Sequence, residues 1–276
     1  MKHRKKWLFF ACAAAGGAAG ALLAELVPNQ GQGTLEVAVK VALWSAVASA
    51  CITAGLFAAG ERHLRRPFCA AVYRRALLVG ALAGAIAGFA AQSVYAYFQP
   101  GSLWVDVFIR SFCWGVMGAI LGARLSAAVP NLGLGRGVLA GGLGGVLGGL
   151  SFLVACLLLP ELLGRVVGLA ILGGALGLAV VAIEEAFRSA SLEVIWGPGE
   201  ATEVTIGASP VYLGGGSVDH VFVRGLPARA LSVVLAGGRI LCTNHTNGIE
   251  NQLKDGSRIR AGVVELVVHA KTATAK

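Results

Sequence analysis

Charge is what this chain has least of. Of its 276 residues only 13% are Asp, Glu, Lys or Arg, where ordinary soluble domains carry about 25%. The deficit sits in the first two thirds, where Ala, Gly, Leu and Val form runs longer than the roughly 18 residues that suggest a spanning helix. The deep parts of these runs lack Asp, Glu, Lys and His. Their polar groups are mainly Ser and Thr, such as Ser45, Ser49, Thr53 and Ser151. That leaves little from which to build a substrate path through a membrane. Histidine is also scarce and scattered, at positions 3, 63, 220, 245 and 269, so no general base with an orienting partner is read. The six cysteines, Cys12, Cys51, Cys69, Cys113, Cys156 and Cys242, show no C-x-x-C spacing. Neither a zinc site nor a disulfide framework follows. Gly214-Gly215-Gly216 is not followed by the Lys of a phosphate-binding loop. The chain is therefore read as non-enzymatic, with no cofactor.

Six apolar runs are present, at 7–27, 37–59, 76–98, 107–129, 137–159 and 166–187. The net charge of +9 is placed around them in alternation. Lys2, Arg4, Lys5 and Lys6 precede the first run. Arg62, Arg65, Arg66, Arg74 and Arg75 lie between the second and third, Arg124 and Arg136 flank the next such loop, and Arg188 follows the last. Loops rich in Lys and Arg stay in the cytoplasm, so both termini are expected there. Bases placed this way orient helices and touch anionic lipid rather than nucleic acid. The start, 5–12, has the make-up of a signal peptide, but the apolar run continues to Val27 and favours a retained helix.

The odd runs carry small residues at every fourth position: Cys12, Gly16, Gly20 and Ala24; Gly80, Gly84 and Gly88; Gly137, Gly141, Gly145 and Gly149. That spacing makes one helix stripe on which a second backbone can approach closely. The even runs open with an acid and a base four residues on: Glu36 with Lys40, Asp106 with Arg110, Glu161 with Arg165. These marks suggest three helical hairpins of about sixty residues each. The charge pairs suit a helix start and an i,i+4 ion pair. The sharper alternative is a ring of charges around a transport path. Glu184 and Glu185 are expected to be the water-facing exit of the last helix.

Beyond Arg188 the pattern has strand length, at 192–196, 203–206, 211–213, 220–223, 230–235, 240–243, 257–259 and 263–268. Turn clusters separate these runs at Gly197-Pro198-Gly199, Gly214-Gly215-Gly216, Gly237-Gly238, Asn247-Gly248 and Asp255-Gly256. Short, evenly spaced strands predict a small β-sandwich. The predicted organisation is an all-α polytopic domain over 1–189 and an all-β sandwich over 190–276.

The order of these turns resembles a forkhead-associated (FHA) domain over 194–268. That family carries I-G-R, then S-x-x-H, then T-N-G, then D-G-D-x-I-x-x-G. Here stand Leu213-Gly214-Gly215, then Leu226-Pro227-Ala228-Arg229-Ala230, then Thr246-Asn247-Gly248 with Asn251, then Asp255-Gly256-Ser257-Arg258-Ile259-Arg260-Ala261-Gly262. The resemblance implies loops at one end of a sandwich that read phosphothreonine, with the Arg and Ser of the first two motifs on the phosphate. Gly215 replaces that Arg, Pro227 that Ser, and Ala230 the structural His. Arg229 stands close to the missing Ser and is the first candidate to replace the charge, ahead of Arg224 and Arg239. The partner-binding residues implied are Arg229, Thr246 and Asn247.

The sequence thus reads as a scaffold of the bacterial inner membrane, presenting a degenerate FHA-like domain to a cytoplasmic protein. A phosphothreonine reader and a transporter or channel regulated by its tail are the alternatives. The partners expected are a cytoplasmic protein, phosphothreonine-containing in the first alternative, and membrane lipid. Nucleic acid is not expected, and self-association through the glycine stripes stays open.

Overall fold

A computed structural model describes residues 2–27, 33–98, 101–126, 129–217 and 219–270. Six long helices come first: α1 (Lys2–Ala24), α2 (Thr34–His63), α3 (Ala70–Phe98), α4 (Leu103–Ser126), α5 (Leu134–Leu158) and α6 (Glu161–Ala186). All six are long and apolar enough to cross a membrane. They extend beyond the apolar runs into the flanking charges. Arg62 lies on α2, and Arg74 and Arg75 lie on α3, so the basic connection between these helices is shorter than predicted. Pro67 follows α2, where a missing N–H helps to stop helical pairing. The Ser102 hydroxyl accepts the Val105 N–H (3.3 Å) at the start of α4.

Consecutive helices pack on each other, and α1 also packs on α6, which closes a ring. The even helices α2, α4 and α6 touch across its middle. Their large side chains fill that space: Ile52 and Leu56, Met117 and Leu121, Leu169, Leu172 and Leu176 are fully buried. The centre of the bundle is a packed apolar core, which is evidence against an open polar path there.

The small-residue stripes lie in the seams between neighbouring helices. A Cβ added at Gly20 would lie 2.9 Å from the Cα of Ala48 on α2, and one at Gly141 2.9 Å from the Cα of Gly122 on α4. Gly84 meets the Ser45 carbonyl, while Gly118 and Gly141 meet each other's carbonyls across α4 and α5. These stripes pack helix against helix within one chain.

Nine strands follow: β1 (Ala190–Gly197), β2 (Glu200–Ile206), β3 (Val211–Gly214), β4 (Val221–Phe222), β5 (Leu231–Ala236), β6 (Arg239–Asn244), β7 (Ile249–Leu253), β8 (Arg258–Ala261) and β9 (Val264–Ala270). They form two sheets, ordered β2-β1-β9-β8 and β4-β3-β5-β6-β7. All pairings are antiparallel except β3 with β4. The β5–β6 turn places Gly237 and Gly238 at positive φ (56° and 77°), the conformation a two-residue hairpin favours. Strand β7 was not predicted. It is an edge strand whose first four residues, Ile249 to Gln252, are exposed, so it lacks the apolar alternation that marks a half-buried strand.

The sandwich core holds Leu192, Val194, Ile206, Leu213, Val233 and Leu266. It also holds Leu64, from the connection after α2. The helical part therefore contributes a side chain to the β core.

Candidate functional site

Two of the loops implicated by sequence meet at one buried carboxylate. Asp219 is 1% exposed. Its Oδ2 accepts the N–H of Gly216 (2.8 Å) and of Arg229 (3.0 Å), tying the β3–β4 loop to the β4–β5 loop. Arg229 is exposed and sits at φ +50°. Its guanidinium lies 5.1 Å from the centre of the Tyr212 ring. Tyr212 also stacks on His220 (5.9 Å) and lies 6.3 Å from the His245 ring.

Thr246 and Asn247 follow His245, whose N–H donates to the Ala230 carbonyl (2.9 Å). The structure thus brings the 229–230 and 245–247 segments to one end of the β5–β6 pair. The Asn247 side chain works inside its own turn, its Oδ1 accepting the Ile249 N–H (3.1 Å). The Thr246 N–H donates to Asn244 Oδ1 (2.9 Å). Both residues are exposed.

Gly214 and Gly215 have no room for side chains. A Cβ at Gly215 would run into the Leu226 carbonyl, and one at Gly214 would lie 2.7 Å from the Arg229 N–H nitrogen. The Gly215 N–H donates to Pro227 O (3.1 Å) and the Val223 N–H to Gly214 O (2.8 Å). Backbone from the next loop therefore occupies the space beside both glycines.

His220 accepts the Tyr212 N–H through Nδ1 (3.0 Å), and its carbonyl accepts from Arg66 Nε (3.1 Å). Burial holds its imidazole below the ordinary pKa, reinforced by the Arg66 charge and opposed by Asp219.

A second constellation joins the sandwich to the helices, and sequence reasoning missed it. Glu184 was expected to face water. It is instead 4% exposed. It pairs with Lys5 of α1 (2.6 Å) and accepts the Thr205 hydroxyl of β2 (2.9 Å). Glu185 is partly exposed and pairs with Lys6 (2.8 Å). Around this buried group, Arg188 pairs with Glu203, Arg65 with Glu200, and His63 Nε2 contacts the Glu203 carbonyl (3.2 Å). Asn131 donates to the carbonyls of Thr205 and Ser209 and accepts the Ser209 N–H (2.9 Å). The available signal was the repeated offer of bases at one end of the bundle to a tail bearing Glu200 and Glu203. Nothing in the spacing showed which would meet.

The acid–base pairs at the opposite end of the bundle are mostly local. Asp106 pairs with Arg110 (2.7 Å) and Glu161 with Arg165 (2.7 Å), each within one helix turn. Glu36 reaches back to the Gly33 N–H (3.5 Å). Arg110 leans on the Tyr95 ring (5.0 Å). Arg165 also pairs with Glu25 (3.2 Å) and shares a surface cleft with Lys40 and Trp44. Two of the three bases thus share a cleft, while Arg110 stands beside a different helix.

No family model matches this chain, and no curated protein matches it. Among solved structures it is similar to one described as a structural and functional analysis of phosphothreonine-dependent FHA domain interactions. The two are 25% identical over 30% of this chain and 98% of that one, with a TM-score of 0.26.

Proposed function

We propose that this chain is a six-span scaffold of the bacterial inner membrane with both termini in the cytoplasm. Its sandwich presents the loops around Arg229, Thr246 and Asn247 to a cytoplasmic protein, and recognition does not require phosphate. The observation that carries this reading is the sealed turn at Gly214 and Gly215. The backbone of 226–229 fills the space where a phosphate-binding Arg would project, so the charged fork of that motif has no place. The packed centre of the helical ring supports an anchoring role for the bundle over a transporting one.

Arg229 is the observation that favours the second reading, a phosphothreonine reader. Its side chain is exposed and its guanidinium lies over Tyr212, whose ring also neighbours His245, the residue before Thr246. The test uses full-length protein in lipid nanodiscs, challenged with a phosphothreonine peptide library and its unphosphorylated copies. The scaffold reading expects no preference between them. Selective capture of phosphopeptides, lost in Arg229→Ala, would replace it with the reader. Membrane insertion is checked separately: after alkaline carbonate washing the chain should stay with the membrane pellet.

A further inference from the structure

A cleft of about 700 Å³ opens where α1, the end of α2 and the start of the sandwich meet. Five bases line it, Arg4, Lys5, Arg62, Arg65 and Arg188, with Glu185, Glu200 and Glu203 among them. Most of these charges are already matched. Lys5 is held by Glu184, Arg65 by Glu200, Arg188 by Glu203, and Glu185 by Lys6. Arg4 and Arg62 have no ion-pair partner among the described residues, and both are exposed.

A third donor is left over in the wall. Arg188 is 9% exposed, its Nη1 engages Glu203, and its buried Nε–H has no hydrogen-bond acceptor among the described residues. An orphaned donor on a buried guanidinium costs about 1–3 kcal/mol or more unless something accepts it. Two unmatched guanidinium groups, with the Arg188 charge in the wall behind them, call for an anion rich in acceptor oxygens, and phosphate esters fit guanidinium forks.

The mouth of the cleft says which kind. Trp7, two-thirds exposed, and Leu8 lie at its edge. From Trp7 the exposed face of α1 continues through Ala11, Ala15 and Ala19. That small-residue face leaves lateral room for an acyl chain below a headgroup. Trp at this level suits the membrane interface, and basic pockets on the cytoplasmic side of helix bundles hold anionic headgroups.

We infer that this cleft binds the phosphate headgroup of an anionic membrane lipid, held by Arg4 and Arg62 with Arg188 in the wall. The lipid wedges against both α1 and the sandwich and so fastens the tail to the bilayer surface. This inference rests on the membrane reading above.

The test is lipid retention by the full-length protein in detergent, read by native mass spectrometry after exchange with phosphatidylglycerol or phosphatidylcholine. Glycerol phosphate and inorganic phosphate serve as soluble competitors. Arg4→Gln/Arg62→Gln is compared with Arg74→Gln/Arg75→Gln, two exposed bases on α3 outside the cleft. The expected result is retained phosphatidylglycerol, roughly tenfold or more weaker in the cleft variant and unchanged in the α3 variant. Equal retention in both variants, or equal retention of the two lipids, overturns the inference. So does saturation by free phosphate with no lipid retained, which would make the ligand a soluble anion. A protein that stays dispersed after detergent removal fails the membrane reading itself, an outcome distinct from any of these.

Discussion

The two ends of the helical bundle both carry acids and bases, and they use them differently. At the end where the even helices begin, two pairs lie one turn apart in sequence, and the one long-range pair named there, Arg165–Glu25, is partly exposed. Asp106–Arg110 and Glu161–Arg165 are partly exposed and local. At the sandwich end the partners are 179 residues apart in Lys5–Glu184, and 21 apart in Thr205–Glu184, and both contacts are buried. A local exposed pair adds a few tenths of a kcal/mol to a helix that forms anyway. A buried pair joining three elements defines how those elements sit, because separating them strands a charge in a dry seam. One end decorates helices; the other assembles the molecule.

Removing the buried acid should break this contrast most sharply. Glu184→Ala leaves Lys5 without its partner, and breaking a buried pair from one side costs about 3–5 kcal/mol. Thermal unfolding in detergent should show a large drop, with the sandwich losing protection from protease before the helices do. Restoring an uncharged match with Lys5→Met/Glu184→Leu should recover much of the loss. A Glu184→Ala protein as stable as the parent would remove this pair from the account.

The helix seams come next. Gly118→Ala places a methyl against the Gly141 carbonyl, whereas Gly142→Ala meets nothing nearer than Ala119 Cβ and the Gly115 carbonyl, each at 3.8 Å. The first should cost about 1–3 kcal/mol through overpacking, and the second should be neutral or slightly stabilising through helix propensity. Equal effects would show that the close approach of α4 to α5 is not what the glycines provide.

The sandwich end should also respond to pH. The folded pKa of His220 lies below its ordinary 6.5, so the fold prefers the neutral ring. Its contribution is complete above about pH 6.5 and is lost as pH falls toward the folded pKa. Melting followed from pH 7.5 to 5 should therefore show a decline, and His220→Asn, which keeps an acceptor for the Tyr212 N–H, should flatten it. The smallest effect is expected at the opposite end of the bundle. Asp106→Asn should shift stability by less than about 0.5 kcal/mol, and the shift should shrink further in high salt.

Much of the architecture was legible because it is written in solvent preference. Runs of apolar residues predicted six helices, and six helices cover most of each run, four of them ending one to three residues before the run does. Alternation and Gly-rich turns predicted most of the strands. Strand β7 escaped because its residues face water at a sheet edge and carry no apolar period. In the candidate loops, the replacement of Arg by Gly215 could be read as a departure from a pattern. The crowding at Gly215 could not be read: the Leu226 carbonyl approaches from the next loop, eleven residues away. Asp219 gave no signal either, since one buried carboxylate looks like any surface acid until the loops close around it. Glu184 was misread for the same reason. An acid at the end of an apolar helix implies water unless a strand from the tail returns to cover it.

The sequence alone determined the division into long apolar helices and a strand-rich tail, the number of helices, the spacing of the small-residue stripes and the placement of bases in alternate connections, because each follows from composition or period along the chain. The tertiary structure decided that the stripes pack within one chain, that Leu64 enters the sandwich core, that Glu184 joins Lys5 and Thr205, and that Arg4, Arg62 and Arg188 share a cleft. Those are meetings between residues tens to nearly two hundred positions apart. No local preference encodes them; they exist only once the ring of helices closes and the sandwich docks on it.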